Sequence, residues 1–279
     1  MRVHSRVLLN TACIELWPAW LLRARASGDA RILARARQVL RRKRDGRYLA
    51  AVLDEGLMPL LPRLAREPGI DQALDLLDAP PAGHELREPA VLPPEGLARR
   101  LDALGLEADD YAARSGLDLV AEPVALALAG FDRYRRPLWL LPGAARAWQR
   151  MRQAAARDGV MLEAVSGYRS HDYQLGIFER KLARGLALAD ILAVNAAPGF
   201  SEHHSGQALD IGAPGEPPAE ESFEATAAFD WLTRHAGEHD FAMSYPRGKP
   251  HGIVYEPWHW RHAPPEDAPG FQTAASRPD

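Results

Sequence analysis

At 279 residues, 47% of them hydrophobic, the chain has ample material for one large domain or for a domain with an appendage. Its formal charge of -3 gives no footing for sequence-independent nucleic-acid binding, which rests on an excess of lysine and arginine. Cys13 is the single cysteine, which excludes an intrachain disulfide framework.

Arg2 and Arg6 introduce a moderately apolar run over residues 7–22. Asn10, Glu15 and Pro18 interrupt it, making it a poor signal-peptide core and too short and polar for a membrane span; it reads as the first helix of the fold. Residues 23–47 carry ten basic residues against Asp29 and Asp45, and residues 48–110 carry thirteen acidic against five basic. Such opposed neighbouring blocks neutralise each other across a surface more often than they bind a polyanion. Leucines and alanines at three- and four-residue spacing around Ile32, Val39, Leu49, Val52, Leu60 and Leu64 also read as helical. Pro80, Pro81, Pro89, Pro93 and Pro94, with Gly83 and Gly96, then mark an exposed connector. The expected organisation is a helical N-terminal module over residues 1–95, a second domain over residues 96–262 and a frayed tail over residues 263–279.

In the second domain, Ala144, Trp148, Met151 and Ala155 line one face of a helix that stops at Asp158-Gly159, and a strand follows over residues 160–165. It runs into Ser166-Gly167-Tyr168-Arg169-Ser170. The next helix starts between Ser170 and Asp172 and ends over residues 181–185, with basic residues in its last turn and Gly185 at its exit. Arg169 therefore sits where a strand meets a helix N-terminus, a place where a guanidinium and free backbone N–H groups converge on a carboxylate. A short strand over residues 208–211, a loop over 213–218, a helix over 223–236 and strands over 241–245 and 253–255 complete the pattern. Pro257 disfavours helical geometry at Glu256 and puts it at a strand end. In a strict strand Glu256 and His259 face opposite ways, so a turn or bulge at Pro257 is required to bring both to one place.

The richest chemistry lies in Ser201-Glu202-His203-His204-Ser205-Gly206-Gln207-Ala208-Leu209-Asp210, answered by Glu256-Pro257-Trp258-His259. His203, Asp210 and His259 offer two imidazoles and a carboxylate, a set that holds zinc and leaves a fourth position for water. Glu256 is then placed to act as the base for that water. His204 reads as a neighbour of the ligand, Trp258 and Trp260 as packing residues, and Gln174, one turn after Ser170, equally as a surface helix residue.

Three ordered blocks resemble the VanY-type D-alanyl-D-alanine carboxypeptidases over residues 130–262: Ser166 to Ser170 with Gln174, Pro198 to Gly212, and Ser244-Tyr245-Pro246 with Glu256 to Arg261. The resemblance implies zinc on His203, Asp210 and His259, with Glu256 as catalytic base. It further implies that Arg169 polarises the scissile carbonyl or grips the substrate carboxylate, helped by Ser201 and Gln174, with Tyr245 lining the pocket. The implied activity is zinc-dependent removal of the terminal D-Ala from peptidoglycan stem peptides or muropeptides, D,D- or L,D-specific. The alternatives are a related zinc endopeptidase or D-Ala-D-Ala dipeptidase, and a non-catalytic wall-binding module, which Glu256 opposes. The expected fold is α+β: a small, mainly antiparallel sheet carrying the zinc site, with covering helices, preceded by the helical module. That substrate favours the cell envelope as location; the poor signal-peptide core leaves the cytoplasm open, and no integral membrane segment is expected.

Overall fold

The computed structural model describes residues 5–248 and 253–263. The N-terminal third is a β-meander rather than the expected helical module. Strands β1 (Val7–Asn10), β2 (Ile14–Pro18), β3 (Gln38–Arg42), β4 (Tyr48–Leu53) and β5 (Gly56–Pro59) pair antiparallel in succession. Short helices α1 (Ser27–Leu33) and α2 (Ile70–Asp78), with 3-10 turns at Ala19–Leu21 and Leu64–Arg66, interrupt or follow them. The physical reason is burial on both faces. Leu9, Ile14, Leu16 and Leu40 pack beneath α2 with Ile70 and Ala73, while Leu8 packs on the other side with Leu126, Leu128 and Trp139. A strand buried on both faces loses the polar alternation that would betray it, and a short apolar run then mimics a helix segment.

The sheet does not stop at the expected boundary near residue 95. Strands β6 (Ala125–Phe131) and β7 (Pro137–Leu140) continue it in the order β5-β4-β3-β2-β1-β6-β7, with Val7 opposite Ala127. The meander is thus packed into the rest of the chain, which corrects the expectation of a separately packed module. Some of the opposed charge is paired across blocks, as between Arg42 and Glu67 at 2.7 Å. The proline-rich stretch carries a 3-10 turn and an isolated bridge between Val91 and Pro123. Residues 264–279, on which most of the tail expectation falls, lie outside the described residues.

The second sheet is the small antiparallel one expected. Strands β8 (Glu163–Ser166), β9 (Ala208–Gly212), β10 (Phe241–Met243) and β11 (His259–His262) pair in the order β10-β11-β9-β8. Helices α5 (Pro142–Arg157) and α8 (Ala227–His235) cover it through Trp148, Met151, Trp231 and Leu232. Residues 253–255 are not the strand expected of them. The pairing begins two residues after Pro257, where His259 falls opposite Asp210, because proline has no N–H to give a ladder.

A third cluster forms one wall of the cleft described below. Helices α3 (Leu97–Asp102), α4 (Ala108–Ser115), α6 (His171–Leu182) and α7 (Leu188–Val194) gather around Tyr111, Phe178 and Phe200. Helix α6 starts where its cap signal places it, with Ser170 Oγ accepting from Tyr173 N at 3.1 Å, a contact worth about 1 kcal/mol. No helix among the described residues is long and apolar enough to cross a membrane.

Candidate active site

Two adjacent strands and a tight turn bring together a His203–Asp210–His259 cluster that could hold a metal. Asp210 lies in β9, His259 opens β11 directly opposite it, and His203 sits in the 3-10 turn Glu202–Ser205 that feeds β9. One donor atom from each of the three falls within 4.8 Å of the others. Asp210 Oδ1 is 3.3 Å from His203 Nε2 and 3.1 Å from His259 Nδ1. Gly206 closes the turn at φ +71°, and a Cβ there would stand 2.5 Å from Leu126 Cδ2, so only glycine fits.

The outer partners decide which ring nitrogen faces inward. His203 Nδ1 lies 2.7 Å from Gly167 O, so it donates there and turns the Nε2 lone pair toward Asp210. That Nε2 atom is buried and lacks a hydrogen-bond partner. His259 Nε2 lies 2.8 Å from Glu202 Oε2, which leaves Nδ1 as its inward atom. Two inward imidazole nitrogens, one of them orphaned, and a shared carboxylate form a donor set that suits zinc, with outer hydrogen bonds holding both rings.

Electrostatics agree with a cation between these groups. Burial and the Arg169 charge lower His203 to about 4, which keeps it neutral. Burial would depress His259, but hydrogen bonds to Asp210 and Glu202 prevail and raise it to about 10. Burial would likewise raise Asp210, yet His203, His259 and Arg169 hold it well below the carboxylate range. Glu202, against its own burial, is held to about 2 by His259. Two carboxylates at one imidazole, Asp210 buried and Glu202 partly buried, make a place for positive charge, which a proton or a metal can fill.

All eight residues singled out in the sequence, His203, Asp210, His259, Glu256, Arg169, Ser201, Gln174 and Tyr245, line one cleft of about 370 Å³. The turn required at Pro257 is present: His259 N donates to Glu256 O at 3.1 Å, and Glu256 Oε2 comes to 3.8 Å from His259 Nδ1. Burial pushes the Glu256 carboxyl up to about 7, opposed by the His259 charge. Arg169 Nη2 stands 3.7 Å from Asp210 Oδ2, while its Nε is buried without a hydrogen bond. Gln174 is no surface residue: Nε2 donates to Ala196 O at 2.8 Å and Oε1 is buried without a partner. The Tyr245 ring packs at 4.8 Å from that of His259.

Sequence reasoning missed the parts that hold this cleft. Arg169 N donates to His203 O at 3.2 Å, and His204 Nδ1 donates back to Arg169 O at 2.7 Å. His204 Nε2 accepts from Gly199 N at 3.1 Å, so His204 ties three segments of the cleft. On the far side of Arg169, Glu122 takes hydrogen bonds from Tyr168 Oη at 2.6 Å, from His171 N at 2.8 Å and from the buried ammonium of Lys43. Lys43 belongs to the meander, so the N-terminal sheet braces the residues on both sides of Arg169. For Glu202 the adjacency to His203 was a usable signal; for Lys43 and Glu122 the sequence carries none.

Comparison with known proteins places these observations among relatives. A model of the VanY D-alanyl-D-alanine carboxypeptidase family matches residues 138–265. The chain is 36% identical over 135 residues to YodJ of Bacillus subtilis, covering 47% of this chain and 49% of that protein. It is 32% identical over 146 residues to the bifunctional D-Ala-D-Ala dipeptidase and D-Ala-D-Ala carboxypeptidase VanXYC of Enterococcus gallinarum, covering 50% and 75%. The match thus spans about half the length of YodJ. Among solved structures, the LdcB LD-carboxypeptidase is similar at 32% identity and a TM-score of 0.47, over 50% of this chain and 69% of that one.

Proposed function

The chain belongs to the VanY family of D-alanyl-D-alanine carboxypeptidases, and on that premise we propose that it is a zinc-dependent carboxypeptidase removing the terminal D-Ala from peptidoglycan stem peptides or muropeptides. The observation that carries this reading is the meeting, in one cleft, of the His203–Asp210–His259 cluster, the buried Glu256 carboxyl and the Arg169 guanidinium. His203 Nε2, an Asp210 oxygen and His259 Nδ1 would hold the zinc. When bound, zinc supplies a Lewis acid that stabilises charge on the scissile carbonyl oxygen and makes water a usable nucleophile at neutral pH.

The chain's own groups do the rest. Glu256, poised near 7 by burial, accepts a proton from the attacking water and returns it to the leaving amine nitrogen, the two-way role that a carboxyl matched to working pH performs best. Arg169 presents a planar fork whose Nε is unsatisfied, suited to the substrate's terminal carboxylate or to its scissile carbonyl. Gln174 lines the same cleft, its Oε1 buried without a partner. Ser201 and Tyr245 complete the wall beside the ligands. Peptidoglycan as substrate favours the cell envelope slightly over trimming of muropeptides in the cytoplasm.

A second reading has one observation behind it. VanXYC, three quarters of whose length the chain covers, joins dipeptidase and carboxypeptidase activity in its description, so cleavage of free D-Ala-D-Ala is the alternative. Mass spectrometry of stem pentapeptide, stem tetrapeptide and D-Ala-D-Ala after incubation with the zinc-loaded protein separates these. Loss of one D-Ala from the pentapeptide or the tetrapeptide is expected and assigns D,D or L,D specificity. Intact peptides beside cleaved D-Ala-D-Ala favour the dipeptidase, and three intact substrates refute both.

A further inference from the structure

The cleft contains a second cation that the proposed chemistry leaves unused. Lys181 lines it together with Arg169 and Gln174. Gln174, Phe178 and Lys181 follow one another at four- and three-residue steps on α6, so they share a helix face. Seven residues of helix place Lys181 roughly 10 Å beyond Gln174 along the axis. The facing wall comes from Val194 at the end of α7 and from Asn195 and Ala196 after it, where Ala196 O receives Gln174 Nε2. The space therefore runs from the ligand cluster along α6 to the Lys181 ammonium.

That ammonium is without an acidic partner among the described residues. The two carboxylates lining the cleft are engaged elsewhere: Asp210 with both imidazoles and Arg169, Glu256 beside His259. Burial, and then repulsion from Arg169, lower the Lys181 pKa, so the two cations feel each other across the cleft. Arg180 in the same turn also carries positive charge at the C-terminus of α6 and lies over the Tyr173 ring. Two like charges retained in one cleft, only one of them required for the terminal carboxylate or scissile carbonyl, call for a second anion on the ligand.

We infer that Lys181 is a specificity residue that binds a second carboxylate carried by the substrate, beyond the end held at Arg169. The inference rests on the carboxypeptidase reading and narrows its substrate to peptides with two free carboxylates. In a stem peptide that second carboxylate has two sources. One is the side chain of a diaminopimelate residue preceding the leaving D-Ala; the other is the α-carboxylate of a γ-linked D-glutamate further back.

The test uses the tetrapeptide L-Ala-γ-D-Glu-meso-diaminopimelate-D-Ala and two analogues, one amidated at the free diaminopimelate carboxylate and one at the glutamate α-carboxylate. Their affinities are measured calorimetrically on the zinc-loaded Glu256→Gln protein, so that binding is read without turnover. One amidation should weaken binding by roughly tenfold, about 1.4 kcal/mol, and identifies the source. The double variant carrying Lys181→Met should lose that discrimination, and the one carrying Lys181→Arg should keep it. Equal affinities for all three peptides, a penalty that survives Lys181→Met, or no binding at all overturns the inference. Lys181-dependent discrimination without D-Ala release by the wild type leaves the inference standing and refutes the carboxypeptidase reading instead.

Discussion

Glu202 Oε2 and His259 Nε2 lie 2.8 Å apart on the outer side of the ligand cluster, and this contact turns His259 Nδ1 toward Asp210. Ring orientation, and so the nitrogen that faces Asp210, is set by a carboxylate outside the His203–Asp210–His259 cluster. Glu202→Ala should weaken zinc binding by roughly 10- to 100-fold, the usual effect of losing such an outer partner. Competition with a chromogenic chelator measures it; unchanged affinity would show that β11 alone fixes the ring.

Glu256→Gln should retain one zinc per chain and lose turnover by roughly 10²-fold or more, because the amide keeps the side chain's shape but cannot take a proton. His203→Ala, by contrast, should lose the metal. Metal analysis beside D-Ala release distinguishes the two, and near-normal release by the Gln variant would remove Glu256 from the reaction.

Arg169→Lys should be poorly tolerated although the charge is kept, since an ammonium cannot present two parallel donors to a carboxylate. If the fork grips the substrate's C-terminus, amidating that terminus should reduce wild-type kcat/KM by roughly as much as the substitution does. Equal cleavage of amidated and free peptides would move Arg169 to the scissile carbonyl and favour an endopeptidase.

Acid should act through Glu122. Burial alone would raise this carboxyl, but the Lys43 and His171 charges hold it at about 2, below the ordinary 4.5. A depressed folded-state pKa contributes stability that is complete above about 4.5 and is lost as pH falls toward 2. Glu122→Gln leaves the Lys43 ammonium buried without its anion, a loss of roughly 3–5 kcal/mol at neutral pH. Denaturant unfolding of chelator-treated protein from pH 7 down to pH 2 should show a steeper decline for wild type than for the variant. Parallel curves would mean that other carboxylates dominate acid unfolding.

What could be read from the sequence was what is local. His203, Asp210, Glu256 and His259 stand in short runs, and the structure gathers them in one cleft; the turn at Pro257 followed from the need to aim two neighbours at one place. Tyr48–Leu53 could not be read, because both faces of that strand are covered and its partners lie elsewhere in the chain. Lys43 and Glu122 were invisible for a related reason. A buried charge is recognisable only beside its counter-charge, and theirs is brought into contact by the seven-stranded sheet. Glu202 was visible as a residue, but its role depends on a ring rotation that no spacing encodes.

The position of β1 between β2 and β6 also orders events during folding. The hairpins from β1 to β5 join neighbours in sequence and can form early, whereas the Val7–Ala127 pairing must close a long loop and so comes late. Until then one edge of the meander stays open and serves as the template on which the β6–β7 hairpin docks. The segment carrying Arg169 hangs from that hairpin, since Tyr168 N donates to Trp139 O. The segment carrying Arg169 is thus tied, through β7 and β6, to a strand pairing at the opposite end of the chain.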